Sequence, residues 1–275
     1  MKVVVTAGIL LLSSASFICA APAAKKTYYR AQHTNAVKPH AMGDPVVVNA
    51  ASFEPGISPG GLATIFGQDL TSVSGTIVAG TDPLPTELGG VSVMVNGILA
   101  PLFSIAFVDG QDQISFQVPY EAPVGQGAAE IQVFDSGTQT ADFFADSFTE
   151  DPGIFVYNGS FAVAVNSIDG TLVGPDNPAT PGEIVVLYTT GLGPLSLALQ
   201  DGFGAPSNPL ARTIDPVNVL VDNETCNVLF SGLAPGFVGL YQVNFQLPED
   251  LPAGNLNIQI TTPFADSRMA TLPSN

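Results

Sequence analysis

From Pro45 onward, apolar and polar residues alternate in short runs separated by Gly, Pro, Asn and Asp. Two runs nearly repeat each other: "ISFQVP" at 114–119 and "VNFQLP" at 243–248. In the first, Ile114, Phe116 and Val118 fall on one face and Ser115 and Gln117 on the other. Val243, Phe245 and Leu247 repeat this around Asn244 and Gln246. A period of two predicts a half-buried β-strand, and the closing proline cannot donate to a ladder. "VVVNA", "GLATIFG", "VSVMVNG", "AEIQVF", "IVVLYTTG", "VNVLVDN" and "LNIQI" read the same way. Turn signals return about every eight to twelve residues, the cadence of a β-sandwich. No stretch has the 3.6-residue period of an amphipathic helix, and "LSLAL" (195–199) is isolated by Gly and Pro.

The echo extends beyond the hexapeptides. "ISPGGLATIFGQDL" (57–70) aligns with "ATPGEIVVLYTTGL" (179–192), and "VSVMVNG" (91–97) with "VNVLVDN" (217–223). After the hexapeptides, "YEAPVGQGAAEIQV" and "EDLPAGNLNIQI" each place a Pro-x-Gly turn before another alternating strand. Four matched blocks in one order predict tandem duplication of a single sandwich. The expected fold is all-β, with two immunoglobulin-like sandwich domains at 45–151 and 152–275 that meet near "TEDPGIF".

Ahead of this body, Lys2 and the apolar run ending "SFICA" have the charge, length and small-residue ending of a signal peptide over 1–23, cleaved after Ala20 or Ala23. The run is short and interrupted by serines, which disfavours a membrane anchor, and "SFI" before Cys19 disfavours a lipoprotein. Residues 24–44 show neither period and are expected to form a flexible basic arm. Cleavage leaves Cys226 as the sole cysteine, so no intramolecular disulfide forms; its apolar surroundings predict a buried, inert thiol. All 24 acidic residues lie from Asp44 onward, where Arg212 and Arg268 are the only bases, a formal charge of 2 − 24 = −22. Such a body repels nucleic acid and anionic membrane, so neither is expected as a partner despite the "TYYR" of the arm.

The blocks "VVNAASF-x-PG-x-SPG", "LGGVSV-x-VNG", "QISFQVP", "LY-x-TGLGP" and "GLAPGFVGLYQVNFQLP" resemble the Solibacter-type uncharacterised C-terminal domain of large secreted acidobacterial proteins. The resemblance covers about residues 45–273. It implies IPT/TIG-like immunoglobulin sandwiches in an extracellular setting, and it supplies no catalytic residue.

Chemistry is sparse. The only histidines, His33 and His40, lie in the arm, which excludes a histidine-based triad or a His/Cys zinc site on the body. "TTGLGP" (189–194) lacks the lysine and following helix of a phosphate loop and reads as a turn. Asp109 with Asp112, or Asp222 with Glu224, are the carboxylate pairs a glycosidase would need, but both sit at turn positions. Asp109 and Asp112 are also weak calcium candidates, without EF-hand spacing. Asn158 and Asn223 head glycosylation triplets.

The residues therefore predict a secreted, non-enzymatic structural, adhesion or binding protein. Its expected partners are a protein or glycan at the cell surface, or further copies bound through the basic arm. The alternative is a carbohydrate-binding module or carbohydrate-active enzyme using surface carboxylates, although the chain has no Trp platform.

Overall fold

The computed structural model describes residues 44–123 and 127–275; the signal peptide and almost all of the arm lie outside them. Described residues up to 147 form nine strands: β1 (Val46–Asn49), β2 (Leu62–Gly67), β3 (Thr76–Val78), β4 (Val91–Val95), β5 (Ile98–Leu99), β6 (Leu102–Val108), β7 (Gln111–Gln117), β8 (Gly127–Asp135) and β9 (Thr138–Ser147). Six short or medium strands follow: β10 (Gly153–Ile154), β11 (Val156–Tyr157), β12 (Phe161–Ala162), β13 (Ala164–Asn166), β14 (Ile184–Thr190) and β15 (Asn218–Val221). The last five are β16 (Glu224–Thr225), β17 (Asn227–Leu233), β18 (Tyr241–Gln246), β19 (Gly254–Thr261) and β20 (Ala270–Ser274). The fold is all-β.

Four sheets result. Their strand orders are β1-β2-β7-β6-β3 and β5-β4-β8-β9 in the N-terminal half, then β10-β14-β18-β17 and β11-β12-β20-β19-β15-β16 in the C-terminal half, with β13 also on β14. The second pair echoes the first: β14-β18-β17 follows β2-β7-β6, and β16-β15-β19-β20 follows β5-β4-β8-β9. The matched sequence blocks land on the corresponding strands β2/β14, β4/β15, β7/β18 and β8/β19.

The alternation explains the layers. Ile114 and Phe116 join Ile65, Val93, Ile105 and Ile131 in one buried cluster, whereas Val243 and Phe245 join Leu187, Val219, Tyr241 and Ile258 in another. Burying each large apolar side chain contributes about 1.5–3 kcal/mol. The hexapeptide strands β7 and β18 are interior to their sheets, as expected for the most regularly alternating segments. One position departs from the pattern. Gln117 falls on the polar side of the alternation but is fully buried, for a reason that lies in the second half of the chain.

Four hairpins have two-residue loops, at 96–97, 109–110, 136–137 and 222–223. All eight loop residues have positive φ, which matches the turn twist to that of the strands. This is why Asn, Asp, Ser and Gly occupy them.

Candidate functional site

The hairpin geometry accounts for most of the polar residues singled out in the sequence. Asp109 is exposed in the β6–β7 turn at φ 52°. Asp112, three residues on, is 1% exposed. Its Oδ2 accepts the N–H groups of Leu70 (2.8 Å) and Thr71 (3.3 Å), and its Oδ1 accepts the Thr71 hydroxyl. These two carboxylates thus serve different ends: one shapes a turn, the other pins the loop after β2. Asp222 and Asn223 form the β15–β16 turn, and Asp222 accepts the Asn257 N–H at 2.8 Å. Asn158 is exposed in the β11–β12 turn and Asn223 is equally accessible. Among the described residues, no group of three or more His, Cys, Asp or Glu is placed to hold a metal ion. Cys226 is buried, and burial with the nearby Glu224 charge pushes its thiol up to about 11, a weak nucleophile at neutral pH.

A polar seam joins the two halves. Leu62 N–H donates to Thr190 Oγ1 (2.8 Å), which itself donates to the Gly239 carbonyl (3.0 Å). Asn49 Nδ2 donates to the Asp151 carbonyl. From the loop after β14, Gly202 N–H donates to Gln117 Oε1 (2.7 Å), Leu84 N–H donates to the Gly202 carbonyl (2.8 Å), and Tyr120 N–H donates to Asp201 Oδ1 (2.9 Å). The Gln117 amide oxygen accepts a backbone donor from the other half, which offsets part of the cost of burying the amide. The "TTGLGP" glycines belong to this seam. Gly191 has φ +75°, and its bare Cα lets the Asp151 carbonyl approach. The segment carries no phosphate-binding geometry; β14 runs directly into a loop.

Beside the seam lies a pocket of about 340 Å³, lined by Pro59, Tyr120, Glu121 and the "LSLAL" leucines Leu195, Leu197 and Leu199. Glu121 is the acidic residue among its described lining, and the Asp201 carboxyl lies beside it. Deeper in the seam, Glu150 is 1% exposed and accepts the Phe264 N–H at 3.1 Å; burial raises its carboxyl above the ordinary range.

Asp201 gives the seam a pH response. Burial pushes its carboxyl up to about 6, the Glu121 charge adds to this, and the Tyr120 N–H bond works against it. The folded chain therefore keeps a proton that the unfolded chain releases near pH 4. The stability this group contributes is fully present below about pH 4 and is lost as pH rises through 6. Asp201→Asn keeps the acceptor and removes the titration, so its melting temperature should vary less between pH 4 and 7 than the parent's. Equal slopes in a thermal-melt series would exclude this role.

The second feature is a free sheet edge. β9 is the outer strand of β5-β4-β8-β9 and runs for ten residues. The edges of the other sheets are short or covered: residues 211–213 bond along β17, and 54–56 along β1. Along β9, Ala141, Phe143 and Ala145 face the core, and Asp142, Phe144 and Asp146 face outward. Phe144 is 70% exposed, opposite Glu130 on β8. Ile57 N–H donates to the Asp146 carbonyl at 3.0 Å, so the Asp146 carbonyl points away from β8. By the two-residue repeat, the N–H and C=O groups of Asp142 and Phe144 point the same way. Among the described residues nothing pairs with them. The alternating Asp-x-Phe-x-Asp of "DFFAD" was the available sequence signal for this edge.

No protein-family model matches the chain, and no curated protein matches it. Solved structures are similar at low scores. The Bacteroides ovatus mixed-linkage glucan utilization locus protein SGBP-B, in complex with a mixed-linkage heptasaccharide, is 13% identical with TM-score 0.30, over 81% of this chain and 45% of its own. The Escherichia coli adhesin FdeC is 15% identical with TM-score 0.22, over 86% and 65%. The C-terminal domain of the Streptococcus agalactiae AgI/II polypeptide BspA is 11% identical with TM-score 0.18, over 84% and 99%. The chain thus spans less than two thirds of the first two structures, and likeness at this level carries no argument about what it binds. No helix among the described residues is long and apolar enough to cross a membrane.

Proposed function

We propose that the protein is a non-enzymatic binding and structural protein of the cell exterior that makes protein contacts through a free sheet edge and assembles with copies of itself. The observation that carries this reading is β9: a long outer strand whose outward backbone groups pair with no described residue, with an exposed Phe144 between two aspartates. An edge of this kind is the usual template for adding a strand from another chain. The signal-peptide reading of residues 1–23 supports the exterior setting. The body's charge of 2 − 24 = −22 favours a basic partner. The reading needs no cofactor.

Sedimentation velocity of the purified protein across a concentration series tests it. Assemblies that grow with concentration and dissociate with added salt are expected. A monomer at every concentration contradicts self-assembly.

A second reading uses the same patch. An exposed aromatic ring flanked by Asp142, Asp146 and Gln132 is the chemistry that holds a sugar ring, so a glycan is the competing ligand. A glycan-array screen separates the two: glycan binding lost in Phe144→Ala would favour the carbohydrate reading.

A further inference from the structure

The outward face of β9 alternates acid, aromatic, acid at Asp142, Phe144 and Asp146, and its free stretch ends where Ile57 takes the Asp146 carbonyl. The arm alternates base, aromatic, base at Lys26, Tyr28 and Arg30. We propose that residues 26–30 of one copy add as an extra strand onto β9 of a second copy, with Tyr28 paired at Phe144 and the side chains of the two bases reaching the carboxylates of Asp142 and Asp146. This rests on the self-assembly reading above and names its contact.

Three observations converge on this occupant. The Asp142 and Phe144 backbone groups point off the edge, and the stretch is bounded by Ile57 at Asp146 and by the Leu70 carbonyl that Thr140 Oγ1 holds at 2.8 Å. That window suits about five residues. Opposite charges and aromatic rings directly across a sheet attract, and the pattern reads the same in both directions, so parallel and antiparallel pairing both satisfy it. Two β9 edges, in contrast, would set Asp142 against Asp146 in antiparallel pairing, which blocks edge-to-edge dimers.

Reach and charge agree with this. The 13 residues from Ala31 to Gly43 can extend up to about 45 Å before the exposed Asp44, enough to reach a neighbouring molecule. Within the described residues both bases are engaged: Arg268 pairs with Glu54, and Arg212 lies over the Phe230 ring at 4.7 Å. The arm is the chain's other source of positive charge. Because the arm and the edge are different surfaces, the contact is head-to-tail and propagates into an open chain of subunits.

A charge-swap set on the full chain tests the contact. The edge variant carries Asp142→Lys and Asp146→Lys, the arm variant Lys26→Glu and Arg30→Glu, and a third chain combines all four. All the edge positions are exposed, and thermal melts verify folding; Asp142→Ser with Asp146→Ser is the milder replacement. Sedimentation velocity should show each single-sided variant associating at least about tenfold more weakly, since two attractive pairs become repulsive. The four-fold variant, and an equimolar mixture of the two single-sided variants, should regain association. If the parent assembles and neither swap weakens it, the docking surface is wrong while self-assembly stands. If the parent is monomeric throughout, both fall. A mixture that fails to associate also overturns the proposal.

Discussion

Truncating Phe116 to Ala is expected to destabilise the fold by about 3–5 kcal/mol, and Phe245→Ala by a similar amount. Both rings are fully buried, on interior strands of their respective sheets, and each belongs to a buried cluster made mostly of aliphatic side chains, so its removal leaves a cavity. Their corresponding places on β7 and β18 make the near-equality of the two losses part of the expectation. Phe144→Ala supplies the contrast: with its ring in solvent, the change should stay within about 0.5 kcal/mol. Urea denaturation followed by circular dichroism reads all three. A small loss at Phe116 or Phe245 would mean that the hexapeptide strands do not fill the two interiors.

The second large effect is expected at Gly191. Alanine there incurs the strain of a positive φ and also drives its methyl group into the Asp151 carbonyl oxygen, a backbone atom that cannot swing aside. The expected loss is about 3 kcal/mol or more, above the 1–3 kcal/mol of backbone strain alone. Gly159→Ala isolates the strain, since Gly159 has φ +95° with nothing within 4 Å of the added carbon. Chemical denaturation of the two variants should therefore separate them, with Gly191→Ala the worse. Equal losses would indicate that the seam yields freely at this point.

The strands and layers were legible because alternation is a local signal: Ile114, Phe116, Val243 and Phe245 announce their burial within six residues of sequence. Turn chemistry was legible for the same reason, and it places Asp109 and Asn223 where hairpins need them. The seam was not. Gln117 looks like a surface residue until a Gly202 N–H, 85 positions away, arrives at its amide oxygen. The glycines of "GLAPGFVGLYQVN" likewise acquire meaning only in three dimensions. Gly239 lies against Leu62 and the Gly60 carbonyl, and Tyr241 donates its hydroxyl to the Gly193 carbonyl at 2.9 Å. Asp112 showed its type but not its task, since its partners Leu70 and Thr71 are some 40 residues distant. The β9 edge was half visible: "DFFAD" shows the alternation, but only the sheet order shows that no described strand lies beyond it.

Amide hydrogen exchange at Asp142 and Phe144, followed in dilute and in concentrated protein, tests most directly whether this edge is the working surface. In dilute solution both amides should exchange rapidly, as unpaired edge groups do; in concentrated protein they should slow together, while the exposed turn amide of Gly159 does not. Identical rates at both concentrations, with assembly nevertheless occurring, would contradict the account.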